Sequence, residues 1–284
     1  MVEATPLHDA DHRDPPGASV AVNLLRGFEL VVDGARVDVP ASAQRVLAYL
    51  ALRARPQTRA VVASTLWLDV PDQRASANLR AALWKLRDLR DRLVATRSAH
   101  IALSGEVAVD VRNLVAGARR IIGETADGPV PDVAEPGPFD LAHLSGDLLP
   151  DWDEDWILFE RERIRQLRVH AIEALSGRLR EAGRYAAAIE AGLAAVAAEP
   201  LRESAHRAVI DVHLEEGNLA DARRQFEALR GALWESLEIL PSPELARRVG
   251  VGSDLGGAPA DVAPPVAPAR VPVGSSAGRP RQRG

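Results

Sequence analysis

The sequence predicts a mainly α protein with small β elements: a winged helix-turn-helix domain followed by a tetratricopeptide-like α-helical domain. Three observations predict it. A cationic amphipathic segment, Arg74–Leu93, lies between two predicted helices and a predicted pair of strands. The stretches 179–200 and 214–234 resemble each other at an offset of 34 residues. Charge divides along the chain: residues 20–112 hold 14 basic and 9 acidic residues, whereas the whole chain sums to −5.

The first domain is expected over residues 20–112, after a polar, Pro-containing segment 1–19 expected to be disordered. From Val20, VAVNLLRGFELVVDGARVDVP reads as short strands, with Asp33-Gly34 as a tight hairpin turn between FELVV and ARVDV. Pro40, Ala41 and Ser42 open a first helix, SAQRVLAYLALRA, in which Val46, Leu47, Leu50 and Ala51 or Leu52 recur at helical spacing. Pro56 ends it. Thr58 is placed to cap a second helix, RAVVASTLW, and LDVPDQ forms a loop.

Drawn as one helix, Arg74–Leu93 places Ala75, Leu79, Ala82, Leu83, Leu86, Leu89 and Leu93 on one face. The opposite face carries Arg74, Ala77, Arg80, Ala81, Trp84, Lys85, Asp88 and Arg92. His100–Val111, HIALSGEVAVDV, alternates apolar and polar residues about Ser104-Gly105-Glu106 and reads as a two-stranded hairpin. Strands, two helices, a basic helix and a hairpin, in that order, make a winged helix, whose third helix suits a major groove. Winged helices also serve as protein docking modules, so two readings stand: a DNA-binding regulator, or a protein-interaction adaptor.

Residues 113–146 are expected to be a linker, helical in part over NLVAGARRII. The second domain is expected over 147–249. In its repeat, Gly183 aligns with Gly217, Tyr185 with Leu219, Ala188 with Ala222 and Gly192 with Phe226, and Pro200 follows. Gly-x-large-x-x-Ala at a period of 34 is the tetratricopeptide pattern: the small Ala lies where two helices approach closely. The preceding helix, with Trp156, Phe159, Ile164, Leu167, Ala171, Ile172, Leu175 and Leu179 near helical spacing, and the final PSPELARRV are expected to complete the layers. Residues 250–284, rich in Gly, Pro, Ala and Val, are expected to form a disordered tail.

Composition narrows the function. The chain has no Cys, which excludes disulfides, thiolate metal sites and cysteine nucleophiles. No run reaches the ~18 apolar residues that span a bilayer, so no membrane role and a cytoplasmic location are expected. Neither GxxxxGK[ST], GxGxxG nor HExxH occurs, and His206 and His213 have no third ligand in sight. No cofactor, no metal and no enzymatic activity are expected. Pro131–Glu160 holds nine acidic residues and no Lys or Arg, so an anionic partner belongs to the first domain.

In combination these segments resemble the SARP-type (Streptomyces antibiotic regulatory protein) transcriptional activators. FELVVDGARVDVP, AQRVLAYLALR, LWLDVPDQRASANLRAALWKLRDLRD and the hairpin ending in Val109-Asp110 are similar to their OmpR-like winged helix. DWILFERERI, LREAGRYAAAI, EPLRESAHRAVIDVHLEEGNLADARRQFEALRGAL and PSPELARRV are similar to their bacterial transcriptional activator domain. The resemblance covers roughly residues 20–249. It implies an activator that assists RNA polymerase at promoters with repeated sites, often of a biosynthetic gene cluster, with homodimers on those sites. Asp88, and the absence of a Gly before Pro241, depart from the pattern.

For the DNA contact, Arg80 and Lys85 are assigned as base or phosphate readers, with Arg74, Arg87 and Arg90 at the backbone. Asn78 either bonds an adenine edge or caps locally; Trp84 either meets a thymine methyl, the wing or a second protomer, or packs against neighbouring helices. The loop Leu68, Asp69, Val70, Pro71, Asp72 and Gln73 resembles the polymerase-contacting segment of this class.

Overall fold

The structure, a computed structural model, describes residues 20–123 and 144–251. The segments expected to be disordered, 1–19 and most of 250–284, and the centre of the expected linker lie outside the described residues. The chain forms two compact units, residues 1–199 and 200–284.

In the first unit, β1 (Val20–Asn23), β2 (Glu29–Val32), β3 (Ala35–Arg36) and β7 (Val107–Val109) form a sheet of order β3-β2-β1-β7. β1 and β2 run antiparallel, as do β2 and β3, while β7 lies parallel to β1. The Asp33-Gly34 turn forms as expected, with φ of 52° and 80°. Two left-handed residues match the twist of the flanking strands. Val20, Val22, Leu30, Val32, Val107 and Val109 are buried on this sheet.

Three helices follow the sheet: α1 (Ala41–Ala51), α2 (Arg59–Leu66) and α3 (Asp72–Lys85). α1 buries Ala43, Val46, Leu47 and Leu50 and packs against both α2 and α3. Thr58 caps α2, its hydroxyl accepting from the Val61 N–H at 3.3 Å. A second sheet, of order β4-β6-β5, joins β4 (Gln57–Thr58), β5 (Val94–Arg97) and β6 (His100–Leu103).

The structure corrects two expectations here. The amphipathic segment is not one helix. α3 stops at Lys85, residues 86–89 turn through i→i−3 bonds (Leu86 N–H to Leu83 O, Leu89 N–H to Leu86 O), and a short α4 (Arg90–Leu93) follows. The hairpin also lies elsewhere. β6 pairs antiparallel with β5 on one side and β4 on the other, while Ser104–Glu106 carry the chain to β7 in the first sheet. Alternation marks which residues of a strand are buried, and Ile101, Leu103, Val107 and Val109 all are. It does not say which strand is the neighbour. β5 was hidden because only Val94 of its four residues is buried.

α5 (Asp110–Ile122) supplies the helix expected over NLVAGARRII. Asp110 anchors it: its carboxylate accepts from the N–H groups of Leu24, Leu25 and Val111 at 2.7–2.9 Å. Burial pushes this carboxyl up from its usual value, against the pull of those N–H groups. Arg112 donates to the carbonyls of Leu50, Ala51 and Arg53, satisfying the open end of α1.

α6 (Asp155–Glu181) starts later than expected. Residues 147–154 are not helical, because they run back over the end of β1: Leu25 bridges Leu148, Arg26 N–H reaches Asp147 O at 2.8 Å, and Leu149 N–H reaches Leu24 O at 2.9 Å. α7 (Tyr185–Ala198) packs on α6, and α6 also packs on α5. Phe159 is not a core residue of α6 but 85% exposed. It lies two residues past the buried Ile157, about 200° round the helix at ~100° per residue.

The second unit holds α8 (Glu203–Glu215), α9 (Leu219–Leu237) and α10 (Pro243–Arg248). Its core joins Ile210, Ala222, Phe226, Leu229, Leu233, Leu245, Ala246 and Val249. Ser242 caps α10, with Pro243 in the first turn. The repeat reappears in three dimensions. Gly183 and Gly217 end α6 and the α8 segment at φ of 71° and 79°, and Ala188 and Ala222 are both fully buried. His206 is a packing residue: its ring lies 3.0 Å from the Pro200 carbonyl and 2.9 Å from the Gln225 amide.

The compact units divide after Glu199, within the second expected domain. The first repeat, α6–α7, is part of the same compact unit as the winged helix, and the second lies in the other unit.

Candidate nucleic-acid interface

α3 is amphipathic because apolar and cationic residues alternate at helical spacing. Ala75, Leu79, Ala82 and Leu83 are buried beneath it, while Arg74, Ala77, Arg80, Ala81, Trp84 and Lys85 face solvent. Asn78 sits half-buried at the edge of that face. Arg74 and Arg80 have no hydrogen-bond or ion-pair partner among the described residues, nor does Arg90 at the start of α4. Lys85 donates to the Ser42 hydroxyl at 3.1 Å, which ties the end of α3 to the first turn of α1.

Trp84 is 65% exposed and not packed among helices. The Arg87 guanidinium lies over its ring at 4.3 Å, and Arg87 also approaches Asp88 at 3.5 Å. Arg92, placed at the end of the exposed face by its periodicity, instead pairs with both carboxylate oxygens of Asp33 at 2.8 Å. That guanidinium holds the Asp33 carboxyl below its usual value. The break after Lys85 therefore takes Arg92 off the α3 face and gives it to the β2–β3 turn.

The wing is β5–β6, with Arg97 opposite His100 and Ser98-Ala99 as its two-residue tip. Ser98 has φ of 51°, a left-handed turn residue. The Arg59 N–H, at the first residue of α2, donates to the Ala99 carbonyl at 2.9 Å. The start of α2 is thus fixed to the wing tip. Half-buried Arg59 and exposed Arg97 add to the cationic face of α3, with His100 exposed opposite Arg97, and none of the three is among the residues assigned from sequence. The sequence pattern places the hairpin at His100–Val111, beyond Arg97, and Arg59 follows the Thr58 cap with no periodic signal of its own.

The loop between α2 and α3 leaves Leu68 and Asp69 exposed, with Leu68 at 69%. One residue of α1 anchors its root. Arg45 donates to the Leu66 carbonyl at the end of α2 and stacks over Trp67 at 5.5 Å. The same guanidinium grips both oxygens of Glu154 at 2.7 Å, and the Trp156 indole N–H donates to Glu154 at 2.7 Å. Trp156 meets Tyr49 edge-on at 5.4 Å, and Arg53 pairs with Glu160 one turn further along. Among the described residues, Glu154 and Glu160 of the acidic run therefore engage Arg45 of α1 and Arg53 just beyond it, not the cations of α3.

Residues 109–249 match the family described as the bacterial transcriptional activator domain. Among solved structures the fold is similar to Mycobacterium tuberculosis EmbR in complex with a low-affinity phosphopeptide, at 22% identity and a TM-score of 0.64. The match covers 81% of this chain and 64% of that one, so the chain spans less than two thirds of that structure's length. Residues 109–249, about half of the chain, thus match a bacterial transcriptional activator domain, and the chain shares the fold of that solved structure. Comparison with curated proteins finds no match.

The activator-domain match begins at Val109, the last residue of β7, and so takes in α5 and Asp110. The match and the fold agree on this point: α5 packs against α6, and its first residue is bonded to β1. No helix among the described residues is long and apolar enough to cross a membrane.

Proposed function

We propose that this chain is a SARP-type regulator that binds duplex promoter DNA and activates transcription. α3 enters the major groove, and the β5–β6 wing lies along the adjacent backbone or minor groove. The observation that carries the reading is the exposed cationic face of α3. Arg74 and Arg80 have no acidic partner there among the described residues. An unneutralised cationic helix beside a basic wing is an electrostatic footprint for phosphate and base edges.

Arg74, Arg80, Lys85, Arg87 and Arg90 make the charged contacts, and Asn78 lies at the edge of the same face. Trp84, stacked with Arg87, offers a flat apolar surface to a thymine methyl or a sugar. The loop Leu68–Gln73 contacts RNA polymerase; its exposed Leu68 and its rigid root at Arg45 support that role. Binding as a homodimer on repeated sites, with residues 20–112 contacting DNA and 147–249 serving activation, completes the proposal. It contains no catalytic step and no cofactor.

A gel-shift salt titration tests it, using the full chain, DNA from upstream of its own and neighbouring genes, and unrelated DNA as competitor. The expected result is a specific shift that weakens steeply with salt, its slope counting phosphate contacts. No shift, or one equal on all DNA, moves the reading to a protein-interaction adaptor. In that case the winged helix would be a docking module beside tetratricopeptide-like helices.

A further inference from the structure

We infer that Arg59, Ser76 and Arg80 form a seat for one phosphodiester group of duplex DNA, and that Arg80 is a backbone contact and not a base reader. The inference rests on the DNA-binding reading above and specifies one of its contacts. A recess of about 290 Å³ lies between the start of α2 and the middle of α3, lined by Arg59, Ser76, Leu79 and Arg80. Leu79 is buried and forms its floor. The two guanidiniums come from different helices, and neither has a carboxylate partner among the described residues.

Two like charges on one small recess repel each other unless an anion lies between them. A phosphate supplies that anion, and its oxygens suit the forked donors of two arginines and one hydroxyl. The position also suits a backbone phosphate. Arg59 is tied to the Ala99 carbonyl at the wing tip, and Arg80 lies on the solvent face of the reading helix. A phosphate seated there sets the depth and register of α3 in its groove. Base discrimination then falls to Asn78, Trp84 and Lys85.

The test uses the full chain, the duplex shifted by wild type, and an unrelated duplex. Arg59→Ala and Arg80→Ala are each expected to lower the salt slope by about one contact and to weaken both duplexes by the same factor. The ratio between the two duplexes stays unchanged. Arg59→Lys, which keeps the charge, restores most of the slope. Single methylphosphonate substitutions along the wild-type duplex supply the second measurement. One neutralised position is expected to weaken wild type, yet leave Arg59→Ala and Arg80→Ala no weaker than they already are. A slope unchanged in Arg59→Ala overturns the seat, and so does an Arg80→Ala variant that loses the preference for its own duplex. If wild type shifts no duplex, the DNA reading fails and the seat fails with it. Circular dichroism of each variant, expected to match wild type, separates lost contact from lost fold.

Discussion

Replacing Arg45 by Ala removes three interactions at once: both oxygens of Glu154, the Leu66 carbonyl and the face of Trp67. The Arg45 and Glu154 side chains are each 28% exposed. That puts the pair between two known limits: exposed ion pairs contribute about 0–1 kcal/mol, whereas breaking a fully buried pair costs about 3–5 kcal/mol. Glu154 keeps its bond from Trp156, which limits the damage to one oxygen. The Leu66 carbonyl, at the end of α2, loses a charged donor. Weighing these, Arg45→Ala is expected to cost about 2–3 kcal/mol. Urea unfolding followed by tryptophan fluorescence reads it, since Trp67 and Trp156 both lie within this cluster. A cycle with Glu154→Gln and the double variant should give a coupling of about 1–2 kcal/mol. The joint also predicts one transition for the winged helix and α6, because Leu148, Glu154 and Glu160 tie them together. A single-variant cost under about 0.5 kcal/mol together with zero coupling would refute the reasoning. The pair would then be a surface contact, and the loop root would be held by apolar packing alone.

Other perturbations test other parts of the fold. Asp110→Ala should cost about 2–4 kcal/mol by urea unfolding, since it strands the N–H groups of Leu24, Leu25 and Val111; Asp110→Asn, which keeps one acceptor, should cost less. Burial lowers the pKa of His206, so the unfolded chain binds a proton that the folded chain resists. Stability should therefore rise with pH from the depressed folded value up to the ordinary 6.5, and fall on acidification through that window. A His206→Gln variant should show a flatter dependence, and an equal slope in both proteins would remove His206 as the cause. Ala222→Leu should cost about 1–3 kcal/mol by forcing apart a fully buried helix crossing, and Ala188→Leu should do the same in the first repeat. Thermal melts unchanged in both would show that these positions are not close-packed.

What was legible in the sequence was periodic or local. The Asp33-Gly34 turn, the Thr58 cap and the Gly-x-large-x-x-Ala pattern each rest on residues within a few positions of one another. The face of α3 was legible for the same reason, since Arg74, Arg80 and Lys85 emerge where the period placed them. What was not legible depends on partners distant in sequence. β6 pairs with β5 and β4 rather than β7, and Arg45 meets Glu154 across 109 residues. Arg59 lines one recess with Ser76 and Arg80, 17 and 21 residues on, because α2 packs against α3.

The clearest case is the end of α3. Leu79, Leu83, Leu86 and Leu93 keep helical spacing through the break, and all four are buried. Periodicity alone therefore predicts one helix to Leu93. Yet Leu93 leads directly into Val94, which pairs with Leu103 in the wing sheet. A straight helix of twenty residues would be about 30 Å long and would carry Val94 away from that sheet. The turn at residues 86–89 keeps the leucines inward while reversing the chain, at the cost of regular i→i−4 bonds there. This reversal places Arg92 on Asp33, brings the wing back beside α2, and leaves Arg87 free to cover Trp84. Lengthening α3 by removing the turn would thus disassemble the cationic surface and not extend it. The break in the leucine helix is what lets one basic segment supply both a reading helix and the lead into its wing.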